Sequence, residues 1–147
     1  MSVVRKDPRS QAAQLLDDVI ARVASLKSEG RFVQARRLVR DSATDILGPI
    51  GYTIEQVDAQ SAASLLGSED RITIAAVLLG ALAELDELGG DANGARACRR
   101  RALELYLEVV LLGSDPNPEI LEAISRLRPQ LDEWRLAERY QAALAKL

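Results

Sequence analysis

The sequence predicts an all-α fold, one domain of about seven helices laid out as antiparallel hairpins. Three observations carry that prediction. Apolar residues recur at steps of three and four along most of the chain, which gathers them on one face of a helix. Short breaks rich in Gly and Pro separate these stretches, and a short break makes consecutive helices antiparallel neighbours. No segment alternates apolar and polar residues as a half-buried strand would.

The elements follow in order. A first helix is expected from about Pro8, with Asp7 as its cap, to Ser28, with Leu15, Leu16, Val19, Ile20, Val23 and Leu26 on one face. Glu29-Gly30 breaks it, and a second helix runs from near Arg31 to about Leu47. Together these form a hairpin over residues 8–47. Gly48-Pro49-Ile50-Gly51 reads as a stop. Thr53 and Gln56 have the spacing of a capping box, which opens a short inserted helix over 53–66. Gly67 ends it, and Ser68 caps a helix from Glu69 to Leu88 with two acids in the first turn. Gly89-Gly90-Asp91 turns the chain into another helix, from Ala92 to Leu112, giving a long hairpin over 69–112. Asn117-Pro118-Glu119 supplies a cap, a first-turn Pro and a first-turn acid for a helix to about Leu127. Pro129 forces a restart, and a last helix covers roughly Gln130 to Lys146, so the C-terminal helices occupy 117–146.

Aromatic residues make up only 3% of the 147 residues, so the core must be built from Leu, Val, Ile and Ala. Ala lets helix axes approach closely. The runs around Ile72–Ala83 and Leu103–Leu112 are apolar almost all round, so both helices must be covered on several sides. Surface left over there would form a two-fold self-interface, and a homodimer is expected on that ground.

Two hairpins look related. A small residue follows the turn and another lies seven residues on: Gly30, Phe32, Ala35 and Ser42 in one unit, Gly90, Ala95 and Ala102 in the other. Ala92 stands where an aromatic would be expected and Arg99 where an apolar residue would be. The spacing resembles the second helix of a tetratricopeptide repeat (TPR). The layout, closing on Leu136-Ala137-Glu138-Arg139-Tyr140, is similar to a bacterial family of TPR-like helical proteins with no assigned activity. The resemblance implies a TPR-like array and a scaffolding or interaction role.

Composition narrows the function classes. There is no histidine, hence no His-based triad, metal site or pH switch. One cysteine, Cys98, allows no internal disulfide. No phosphate-binding glycine loop, calcium loop or nucleophile elbow is present, so no catalytic residue, metal or cofactor is expected. The net charge of −3 and the lack of aromatics among the arginines speak against nucleic acid. The first ten residues lack an apolar signal core, and the longest uncharged run is too short to span a bilayer, so a cytoplasmic location is expected and no membrane partner.

Charge is unevenly spread. Residues 1–50 hold nine Lys/Arg and six Asp/Glu, 51–94 one and eight, 95–147 nine and eight. An acidic middle and basic ends would attract one another, within a subunit or between two. Cys98 admits two readings: a thiol activated by Arg96, Arg99, Arg100 and Arg101, or a small packing residue. Arg99-Arg100-Arg101 fans around its helix and cannot make a flat patch, whereas Arg36, Arg37 and Arg40 are better grouped. Glu104 is four residues beyond Arg100.

The expected function is therefore non-enzymatic protein–protein interaction or scaffolding, with the chain itself or another protein as partner. Arg36, Arg40, Arg99 and Tyr106 are the expected contact positions, with the arginines orienting an acidic segment. Charge reversal at Arg36 and Arg40 should then weaken capture without lowering the melting temperature. The alternative is a regulatory module that holds a small anion or nucleic acid on its Arg-rich helices.

Overall fold

The structure is a computed structural model that describes residues 8–113, 115 and 117–147. Among these residues there are eight α-helices and no strand. They are α1 (Pro8–Ser28), α2 (Phe32–Leu47), α3 (Pro49–Thr53), α4 (Ala59–Leu66), α5 (Glu69–Leu88), α6 (Ala92–Leu111), α7 (Pro118–Leu127) and α8 (Glu138–Ala145). Short 3-10 turns at Arg128–Gln130 and Glu133–Arg135 lie between α7 and α8. The expected cap Asp7 lies outside the described residues.

The two related hairpins share one turn. Gly30 donates to Lys27 O at 3.0 Å and Arg31 to Leu26 O at 2.9 Å; Gly90 donates to Glu87 O at 3.1 Å and Asp91 to Asp86 O at 2.7 Å. Each is a left-handed glycine closure of a helix, at φ 75° and 90°, with the same pair of backbone bonds satisfying the last carbonyls. The small residues that follow are buried in both: Ala35 and Ser42 in α2, Ala95 and Ala102 in α6.

Two local expectations are corrected. Gly48 does end α2, but Pro49 starts α3 rather than prolonging a stop, since its fixed φ suits a first helical position. A Cβ on Gly51 would collide with the carbonyl oxygen of Ala43, so this glycine lets the backbones of α3 and α2 touch. Thr53 is thus the end of a helix, not a cap. The cap of α4 is Asp58, whose Oδ2 accepts from Ser61 N at 3.0 Å. The last helix is also shorter than expected. Pro129 sits in a 3-10 turn, and Leu131, Leu136 and Ala137 are extended. Gln141 Nε2 satisfies the irregular segment by donating to Leu136 O at 2.7 Å.

The first, fifth and sixth helices share one core, closed by α7 and α8. α5 is covered by α1, α2, α4 and α6, and α6 in turn carries α4, α7 and α8. Leu78, Leu79, Leu82, Leu103, Leu105 and Leu107 are almost wholly buried. Most of the all-round apolar character of α5 and α6 is therefore used within the chain, while Val77, Gly80 and Ala81 of α5 stay half-buried. Arg71, in the first turn of α5, ties the insert down: its Nη2 donates to Leu47 O at 2.6 Å and its Nε to Leu66 O at 2.8 Å, capping the ends of α2 and α4.

Candidate functional site

Two of the four expected contact positions lie in an ion-pair network. Arg36 on α2 donates from Nε to Asp86 Oδ1 at 2.8 Å and from Nη2 to Glu55 Oε1 at 2.9 Å. Arg40, one turn on, reaches Glu55 Oε2 at 2.9 Å. Asp86 is only 6% exposed, so Arg36 neutralises a charge that water cannot reach. Hydrogen bonding to Asp86, with help from Glu55, drives the Arg36 guanidinium above its ordinary range despite its partial burial. Together with Lys27–Glu84, these pairs join the basic N-terminal part to the acidic middle inside one subunit. The expectation that reversing Arg36 and Arg40 leaves the melting temperature unchanged is corrected: Arg36 is a structural ion.

Cys98 faces the same network, with Sγ 3.9 Å from both Glu55 Oε1 and Asp86 Oδ2. Burial first, then those two carboxylates, push the thiol up to about 12, against the opposing effect of Arg36. The activating arginines of the first reading turn elsewhere: Arg99 pairs with Glu87, and Arg101 with Glu104 at 3.3 Å. Of the two readings, the packing residue holds. Glu104 takes Arg101, three residues before it, rather than Arg100.

The other two expected positions, Arg99 and Tyr106, are brought together at a groove between α1, α5, α6 and α7 with a volume of about 500 Å³. Its floor is the half-buried Gly80 and Ala81 of α5, with the fully buried Ala76 of α5 and Ala102 of α6 beneath them. Helical spacing of three and four puts the α5 residues on one side of that helix. A Cβ on Gly80 would meet nothing within 4 Å, so this glycine leaves open space rather than accommodating a neighbour. Ile20, Val23 and Ala24 of α1 form one wall, and Ala123 and Leu127 of α7 the other. Lys27, Glu84, Arg99 and Arg126 stand on the rim. Tyr106 is 7% exposed, and burial raises its hydroxyl above the ordinary phenol value while the charge of Arg126 works the other way. A second cavity of about 260 Å³ adjoins the first and shares Val77, Tyr106, Ala123 and Arg126 with it.

Gly80, Arg126, Asp86 and Glu55 escaped the reading of the sequence. A glycine inside a long apolar helix was a usable signal for Gly80, because it is costly there without a packing reason. Pairings between residues fifty apart, as for Arg36 and Asp86, leave no local signature. Among the described residues no group of three or more His, Cys, Asp or Glu is placed to hold a metal, and no helix is long and apolar enough to cross a membrane. No protein-family model, curated protein or solved structure matches the chain.

Proposed function

We propose that the chain is a non-enzymatic, TPR-like protein-binding or scaffolding module that acts in the cytoplasm, with the groove between α1, α5, α6 and α7 as its working surface. One observation carries this reading: a groove of about 500 Å³ floored by Ala and Gly, with aliphatic walls and a cationic rim. Concave, mostly apolar surfaces with a few polar groups at the edge are where proteins take ligands, and the missing side chain of Gly80 leaves room there for a partner. The two hairpins with the same turn and the same buried small residues support the TPR-like assignment. The lone buried thiol suits a reducing compartment.

The test is selection of displayed peptides on the wild-type chain, followed by binding to Gly80→Leu, whose side chain would fill the groove. Selected peptides should lose the variant while its circular dichroism stays unchanged. Binders indifferent to Gly80→Leu would place the working surface elsewhere. Light scattering over a concentration range decides whether the partner is a second copy: a dimer that Gly80→Leu dissolves would make the module a homodimer through this groove.

A further inference from the structure

Two polar groups where the groove meets the smaller cavity have no partner among the described residues. The guanidinium of Arg126 makes no ion pair or side-chain hydrogen bond among the described residues, whereas Lys27 and Arg99 on the same rim are paired with Glu84 and Glu87. The hydroxyl of Tyr106 likewise has no hydrogen bond, and it is not sealed from water: among the described residues the one fully buried side-chain polar atom without a partner is Arg101 Nη1. Tyr106 and Arg126 both line the cavity of about 500 Å³ and the cavity of about 260 Å³, so they stand where the two meet. Arg126 lies in the last turn of α7, and its charge acts on the Tyr106 hydroxyl.

Resting on the groove reading above, we propose that Tyr106 and Arg126 form a carboxylate anchor, and that the groove's occupant is an amphipathic helix of a partner protein that presents one Asp or Glu between two aliphatic side chains. A phenol O–H and a guanidinium both donate, and a carboxylate accepts from both. Ile20, Val23 and Ala24 border the larger cavity, and Ile120 borders the smaller beside the shared Val77 and Ala123, with Thr73 and Asn117 among its polar neighbours. On a helix, residues three or four apart share a face, so one acid flanked by aliphatic residues at that spacing meets anchor and cavities together. Glu119 and Glu122 border the smaller cavity. Their charge opposes a dense polyanion, which selects a singly charged carboxylate over a nucleic-acid backbone.

The probes are two hydrocarbon-stapled helical peptides with the same leucine face, one with Glu between the leucines and one with Gln. Anisotropy should show the Glu peptide binding about tenfold more tightly, the worth of one charge-assisted hydrogen bond. Arg126→Gln should erase that preference and Tyr106→Phe reduce it, while Gly80→Leu abolishes binding of both peptides. Equal binding of the two peptides to the wild-type chain would overturn the anchor and leave the groove reading intact. Binding that survives Gly80→Leu, or no binding of either peptide, would overturn the groove reading with it. Displacement of the peptides by decanoate at lower concentration than by unlabelled peptide would give the groove to a small amphipathic anion and overturn the partner helix. A dimer dissolved by Gly80→Leu would do the same in favour of a second copy.

Discussion

The hydroxyl of Tyr140 donates to Glu108 Oε2 at 2.6 Å, and this bond docks α8 onto α6. Arg139 Nη2 donates to the other oxygen of Glu108 at 2.9 Å, so a carboxylate 7% exposed is held from both sides. Tyr140→Phe removes one donor from a buried charge and should destabilise the fold by about 2 kcal/mol in urea unfolding. A change below a few tenths would show that Arg139 alone satisfies Glu108.

Arg36→Met strands Asp86 without its partner. The expected loss is about 3 kcal/mol, the lower end for a broken buried pair because the arginine keeps some solvent contact. Adding Asp86→Leu should recover most of that loss, since an apolar pair needs no neutralisation. A double variant as unstable as the single one would show that the network does more than balance its own charges.

The folded chain should be sensitive to alkali. Burial, then the bond to Glu108, raise the Tyr140 hydroxyl above its ordinary 10.0, and the Cys98 thiol is pushed up to about 12 from 9.0. In both cases the folded state holds the proton more tightly than the unfolded chain. The stability they contribute is therefore complete below pH 9 and falls as the pH rises, with the thiol from 9 to about 12 and with the phenol from 10.0 upward. Cys98→Ala should flatten the first part of the decline. At pH 8, Cys98 should react with a thiol reagent only as fast as the chain unfolds; rapid modification of the native protein would contradict the burial of the sulfur.

Two glycines should respond in opposite ways to the same change. Gly51→Ala drives a methyl into the backbone of α2 and should cost about 1–3 kcal/mol. Gly80→Ala meets no neighbour and removes a flexible residue from the interior of α5, so it should stabilise by about 0.5–1 kcal/mol. Thermal melts of both variants check the pair. A neutral Gly51→Ala would mean that α3 is free to move off α2.

Much of the fold was legible because its signals are local. Gly30 and Gly90 mark the hairpin turns, Ser68 and Asn117 announce their helices through side-chain caps, and the steps of three and four name the buried face of α2 and that of α1 around Val19 and Val23, although Leu15, expected on the same face, is 51% exposed. The capping-box spacing of Thr53 and Gln56 misled because Asp58, in extended backbone, is the better acceptor for a first-turn N–H. Gln130 to Ala137 read as helix because propensity does not register that Pro129 and the Arg128–Glu133 pair favour compact turns there. The candidate site was legible only in part. Tyr106 and Arg99 were singled out, but the groove arises where four helices diverge, and its floor is defined by what Gly80 lacks. Arg36 carried the right signal, a clustered charge, for the wrong reason: its carboxylates come from its own chain.

Arg71 gives the insert a kinetic character. One guanidinium holds the carbonyl ends of α2 and α4 from the first turn of α5, so displacing Arg71 uncaps both ends at once. The segment from Gly48 to Gly67 then does not breathe as a separate flap between two hairpins. The expected outcome is amide exchange of this segment in step with the end of α2, and Arg71→Met should separate the two.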